Sequence, residues 1–172
     1  LRSAGFVPGA FVFPGGRVDE QDAGADLVAL LGATPRGPEP AFWLAAIRET
    51  FEETGVLLAR GAGGAQAADL APVSALLRWR EALLDGSAGL LEVLRDLDLV
   101  PDAADIVYCS HWITPVAEPK RYDTRFFLAA LPDGAEATID EREMAEALWI
   151  TPAAALDRFR AGELPMVFPT VK

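Results

Sequence analysis

The chain has 172 residues, 51% of them hydrophobic, and carries 26 acidic against 15 basic side chains for a net charge of −11. That balance, with no cluster of lysine and arginine, argues against nucleic acid or an anionic membrane surface as a partner, and no apolar run approaches the ~18 residues that cross a bilayer. One cysteine, Cys109, excludes an internal disulfide, and one histidine, His111, leaves little for a zinc site or a histidine-based triad, so any metal chemistry must rest on oxygen ligands.

Ala10 to Phe13 is a short apolar run between Pro8-Gly9 and Pro14-Gly15-Gly16, read as a strand entering a tight loop that turns polar from Arg17 to Asp22. Asp26 to Leu31 fits a helical turn, and the three prolines between Gly32 and Pro40 mark a surface excursion. Ala41 to Thr54 has helical spacing stopped by Gly55, and Val56 to Ala59 reads as a buried strand. Asp69 to Leu84 and Ala88 to Leu97, turned at Asp85-Gly86, read as an inserted helical hairpin. Ile106 to Ile113 and Thr124 to Leu131 are β-branched and aromatic, as adjacent strands are. Ala147 to Ile150 reads as a further strand and Pro152 to Arg160 as a closing amphipathic helix. Without repeats or linkers, the expectation is one cytoplasmic α+β domain spanning 1–172, with helices flanking a mostly antiparallel or mixed sheet.

The stretch Ala45 to Gly55 carries Glu49, Glu52 and Glu53 just before its stop. At about 100° per residue, Leu44, Ile47 and Phe51 fall within roughly 60° of one another, and the three glutamates centre about 170° away. Like charges at these spacings repel, and the negative end of the helix dipole opposes them again. A solvated charged face is one reading. The other is a hard-oxygen cluster beside the Gly15-Gly16 loop, suited to magnesium or manganese on a phosphate-bearing substrate.

Arg48-Glu49-Thr50-Phe51-Glu52-Glu53-Thr54-Gly55-Val56 resembles the second half of the Nudix box, which runs Gly, five residues, Glu, seven residues, then Arg-Glu-aliphatic-x-Glu-Glu-x-Gly-aliphatic. Gly16 fits the opening glycine and Asp22 the place of the first glutamate, with Asp19 and Glu20 as rivals. Thr50 stands at the aliphatic position, and residues 23–47 stand where the box has seven. This interrupted box, together with Phe6 to Asp19, Ala45 to Leu58 and Arg121 to Ala129, resembles the Nudix branch that includes the peroxisomal coenzyme A diphosphatase of animals and its bacterial relatives.

The resemblance implies an α/β/α sandwich with a mixed sheet and inserted helices, the insertions lying at about 23–40 within the box and about 67–100. It implies metal-dependent hydrolysis of a nucleoside diphosphate linked to X, foremost coenzyme A or its acyl derivative. NADH or ADP-ribose is the alternative substrate, and a non-catalytic nucleotide sensor the alternative class. Glu49, Glu52 and Glu53 become ligands for Mg2+ or Mn2+, Glu49 and Glu52 also catalytic, with Arg48 orienting a box carboxylate. Gly15 and Gly16 become the backbone that approaches metal and phosphate. A further glutamate is expected from the acidic run before Trp149, Glu143 first and Glu146 second. The expected partner is a small nucleotide diphosphate, and a homodimer stays open.

Other residues carry less. Arg125 is a substrate contact or the partner of Asp123, with which it shares strand parity. Phe126 and Phe127 read as core, His111 as structural and Cys109 as a buried small hydrophobe. The closing segment Leu164 to Val171 reads as extended backbone on a sheet edge, or, by the resemblance, as a border of the pocket.

Overall fold

A computed structural model describes residues 9–32, 36–139 and 146–172. The chain falls into two compact units, Gly15–Thr138 and the segments Leu1–Pro14 with Ile139–Lys172. In the first, a 3-10 turn at Glu20–Ala23 leads into α1 (Ala25–Leu31) and α2 (Pro40–Thr54). There follow β1 (Ala59–Arg60), α3 (Ala67–Leu70), α4 (Val73–Leu84), α5 (Leu90–Asp96) and β2 (Val100–Pro101). The long antiparallel pair β3 (Ile106–Ile113) and β4 (Asp123–Ala129) completes this unit.

α2 forms the centre of the core because its sequence stacks one apolar stripe. Trp43, Leu44, Ile47 and Phe51 are fully buried, and Pro40 in the first turn sacrifices only an amide that a helix start leaves unbonded. Leu27 and Leu31 of α1, Leu83 of α4, and Leu90, Val93 and Leu94 of α5 close around that stripe. β3 buries alternate residues, as a strand with one covered face must. Phe127 of β4 brings that face onto α2, its ring 4.9 Å from the Trp43 ring.

Several expectations are corrected. Asp69 to Leu84 is two helices, because Pro72 has no amide to continue the ladder and takes an extended ψ of 140°. Val56 to Ala59 contributes only Ala59 to a strand, and among the described residues β1 forms its ladder with β2, antiparallel, while Arg60 also bridges Gln66. Cys109 is exposed, because it shares strand parity with Val107, His111 and Ile113 on the uncovered face of β3, and the register shift between Tyr108 and Ser110 leaves it without a partner in the ladder. The ladders among the described residues are two separate antiparallel pairs.

In the second unit, α6 (Pro152–Arg160) begins where Thr151 Oγ1 accepts from the Ala154 amide at 3.3 Å, and α7 spans Phe168–Val171. Of the expected strand Ala10 to Phe13, only Phe11 is paired, bridging Met166 in parallel and donating its amide to Pro165 O at 2.8 Å. Residues 146–150 carry no strand, so the expectation for Ala147 to Ile150 fails, and Trp149 is largely exposed. Leu164 to Val171 is extended only in part, since α7 ends it. Among the described residues no helix is long and apolar enough to cross a membrane.

Phe51 fixes the acid helix to its neighbours at full burial. Phe51→Ala is expected to cost ~3–5 kcal/mol of unfolding free energy in a urea titration, and a loss below about 1 kcal/mol would refute its central place.

Candidate active site

The last turn of α2 ends at Gly55, whose φ of +73° is left-handed and whose amide donates to Phe51 O at 2.8 Å. A side chain would strain that position, so glycine sets the length of the helix. On the turn before it, Glu49 and Glu52 are 4% and 3% exposed, so this is no solvated acid face. Two carboxylates this buried require positive partners.

Arg48 supplies the first, at 0% exposure. Its guanidinium grips Asp22 bidentately, Nε donating to Oδ1 at 3.0 Å and Nη2 to Oδ2 at 2.9 Å. Nη1 donates to Glu49 Oε1 at 2.8 Å and to Glu52 Oε1 at 3.2 Å, and Nη2 also donates to Arg17 O at 2.7 Å. Burial opposes this charge, but the hydrogen bonds to Asp22 and the charges of Glu49, Asp22 and Glu52 outweigh it and raise Arg48 above the ordinary arginine pKa. Three carboxylates therefore share one guanidinium. Asp22, fully buried, is in turn fixed by the Asp19 amide, which donates to its Oδ2 at 2.8 Å. Asp19 itself reaches Arg48 only at 3.8 Å and is 38% exposed.

The glycine loop lies against the same turn. Gly15 N–H donates to Glu53 Oε2 at 3.0 Å. A Cβ built on Gly16 would collide with the Glu49 carboxylate, so any other residue here would push that side chain or the loop aside. Arg48, Glu49, Glu52, Glu53, Gly15, Gly16 and Asp22 thus meet in one place.

The NUDT19 Nudix domain model matches residues 37–172. The chain belongs to the NUDT19 Nudix domain family. It is 34% identical to a Gallus gallus protein named acyl-coenzyme A diphosphatase NUDT19, over 96% of this chain and 56% of that protein. Identity to the Homo sapiens protein of the same name is 30%, over 93% of this chain and 54% of that one. The chain thus spans about half the length of these relatives. A crystal structure of a Nudix hydrolase from Alicyclobacillus acidocaldarius matches with a TM-score of 0.74 at 30% identity, covering 99% of this chain and 77% of that one, which shows the Nudix fold.

In this Nudix domain, Asp22 rather than Asp19 or Glu20 makes the close pair with the box arginine across the interruption. The donors present are hard oxygens, as Mg2+ or Mn2+ requires, and the bare backbone of Gly16 gives them a close approach. Their chemistry fits a divalent cation. As placed, Glu49 and Glu52 turn to Arg48 and Glu53 to the loop, and among the described residues no three acidic, histidine or cysteine side chains form a ready metal cage.

Other Nudix candidates lie apart. Arg125 pairs with Asp123 at 2.7 Å and stacks 4.0 Å from the Phe42 ring, in the first turn of α2 and about 15 Å along the helix from Glu52 at its 1.5 Å rise per residue. Hydrogen bonds from His111 and then Arg125 hold the Asp123 carboxyl below its usual range. Glu143 lies outside the described residues, and Glu146 is exposed in the second unit. Sequence reasoning missed Arg80 of α4, buried at 6% exposure and donating to the carbonyls of Glu52 and Glu53. Its signal was an arginine on the inward stripe of α4, between Leu76 and Leu83.

Removing one member of a buried ion pair strands the other. Asp22→Ala is expected to cost ~3–5 kcal/mol by chemical denaturation, and Asp19→Ala less than about 1 kcal/mol, as for a half-exposed, long-range pair. Equal losses would reassign the arginine's partner.

Proposed function

We propose that this chain is a metal-dependent diphosphatase acting on coenzyme A or acyl-coenzyme A. The observation that carries the proposal is the convergence of Asp22, Glu49 and Glu52 on the single buried guanidinium of Arg48, beside a glycine loop that touches Glu49 and Glu53. The negative charge in excess there suits a divalent cation and opposes any anion binding without one. The substrate class is supported by relatives named acyl-coenzyme A diphosphatase. Coverage of 99% of the chain by the structural match supports a single domain spanning 1–172 with the α/β/α sandwich of its fold. An interruption at about 23–40 and a helical insertion at about 67–100 belong to the same proposal, resting on the box spacing and the helical pattern. A cytoplasmic setting belongs to the same proposal and rests on composition.

Glu49, Glu52 and Glu53 would hold Mg2+ or Mn2+, which when bound supplies neutralisation of the diphosphate oxygens and acidification of the attacking water. The chain does the rest. Arg48 holds Glu49 and Glu52 at fixed positions and ties them through Asp22 and Arg17 O to the loop. Gly15 and Gly16 keep that loop thin enough for a phosphate to lie against it. Water oxygen bonds to one phosphorus, the bridging P–O bond breaks, and a carboxylate takes the water's proton: Glu52, or Glu143 from the later acidic run with Glu146 as its alternate. The products are phosphopantetheine, acylated where the substrate was, and adenosine 3',5'-bisphosphate. Arg125, committed to Asp123 and Phe42, has no step in this scheme.

Incubating the protein with coenzyme A, acetyl-coenzyme A, NADH and ADP-ribose, with Mg2+ or Mn2+ and with EDTA, tests the assignment. Cleavage of the coenzyme A compounds that EDTA abolishes is expected, with Glu52→Gln reducing kcat by at least ~10²-fold. Cleavage of NADH or ADP-ribose alone would move the substrate, and silence on every compound with either metal would leave a nucleotide sensor.

A further inference from the structure

We propose that Arg80, carried by the inserted helical segment, is a positioning residue for the acid turn of α2, and hence that this insertion is part of the catalytic apparatus. The proposal rests on the diphosphatase reading above in assigning the turn its metal.

The last four carbonyls of an α-helix have no partner within it. In α2 each of them is accounted for. Phe51 O accepts from the Gly55 amide, and Thr54 O from the Thr138 amide at 2.8 Å. The two between them, which belong to the proposed ligands, go to one side chain: Arg80 Nε donates to Glu52 O at 2.9 Å and Nη2 to Glu53 O at 2.8 Å. The same guanidinium holds the chain that crosses the helix end, Nη1 donating to Thr138 Oγ1 and Nη2 to Thr138 O, both at 2.9 Å. Gly55 leaves the room for this, since a Cβ there would sit 3.3 Å from both Arg80 Nη1 and Thr138 Oγ1.

Two physical effects follow. A planar fork of fixed donors sets two successive carbonyls and a third strand of chain in one geometry, which a lysine ammonium on a flexible stem cannot reproduce. Its positive charge also lies at the negative end of the helix dipole, where Glu52 and Glu53 are otherwise unfavourable. Arg80 therefore acts on the backbone from which the carboxylates project, while Arg48 acts on the carboxylates themselves. Burying a guanidinium between Leu76 and Leu83, where a leucine would complete an apolar stripe, is costly, and holding the ligand turn is the return for it.

The test compares Arg80→Met, Arg80→Lys and Ile106→Ala, a buried core change in β3, each held the same interval below its own Tm. Hydrogen exchange of the metal-free protein over residues 49–56 reads the turn, and Mn2+ titration followed by electron paramagnetic resonance reads its ligands. Arg80→Met is expected to speed exchange of the last turn and to weaken Mn2+ binding about tenfold or more, as loss of a supporting partner behind metal ligands does. Arg80→Lys is expected to fall between it and the parent, and it carries the test if the methionine variant does not fold. Ile106→Ala is expected to match the parent in both readouts. Parent-like exchange and Mn2+ affinity in the Arg80 variants, or changes no larger than those of Ile106→Ala, would overturn the proposal and leave a simple helix cap. A parent that binds no Mn2+ would overturn the metal reading instead, and exchange would then decide the role of Arg80 in holding the turn.

Discussion

The structure around the site depends on one buried guanidinium. Arg48 touches the 3-10 turn through Asp22, the loop through Arg17 O, and its own helix through Glu49 and Glu52. Asp22, Glu49 and Glu52 are nearly or wholly removed from water, and none of these carboxylates would tolerate burial beside the others without a cation. Arginine is suited to this because its five donors lie in one plane and point in different directions, so a single side chain can serve loop and helix at once. The two halves of the Nudix box, distant in sequence, become one surface through that side chain.

The segment from α3 to α5 gives the core Leu83, Leu90, Val93 and Leu94, and it gives the helix end Arg80. Its contribution is thus both apolar and directional. The acid turn sits between two guanidinium groups with different tasks, Arg48 among its carboxylates and Arg80 against its carbonyls. Repulsion along the turn, which local helix energetics would count as a defect, is met from both sides by elements that are far away in the chain.

Much of this was legible in the residues. The stripe of Leu44, Ile47 and Phe51 and the stop at Gly55 are local, periodic signals, and the structure places them as that periodicity requires. The acid spacing identified the family, and the β-branched and aromatic residues gave the bounds of β3 and β4 within a residue or two. What was not legible depends on partners. The bulge that leaves Cys109 unpaired is a property of two strands in register. Ala147 to Ile150 has strand-like residues and no strand, because composition does not supply a neighbour to pair with. Arg80 was passed over because its acceptors are backbone carbonyls, which leave no trace in a pattern of side chains. Arg125 left two readings open in sequence, and only the fold shows it bound to Asp123 and Phe42.

The bidentate contact between Asp22 and Arg48 also closes a ring of chain, and the cost of closing it is a matter of polymer statistics. Lengthening the connection from the usual seven residues to those between 22 and 48 raises the ring-closure entropy by only ~1 kcal/mol, since the penalty grows with the logarithm of length. Leu27 and Leu31 of α1, 2% and 7% exposed, lie within that added length and offset it by burying their side chains in the core. Closing the longer ring is therefore a minor term beside what the added segment buries. A domain built this way can accept new chain between its two half-motifs so long as the new chain brings its own apolar face and leaves the ends of the ring where the guanidinium holds them.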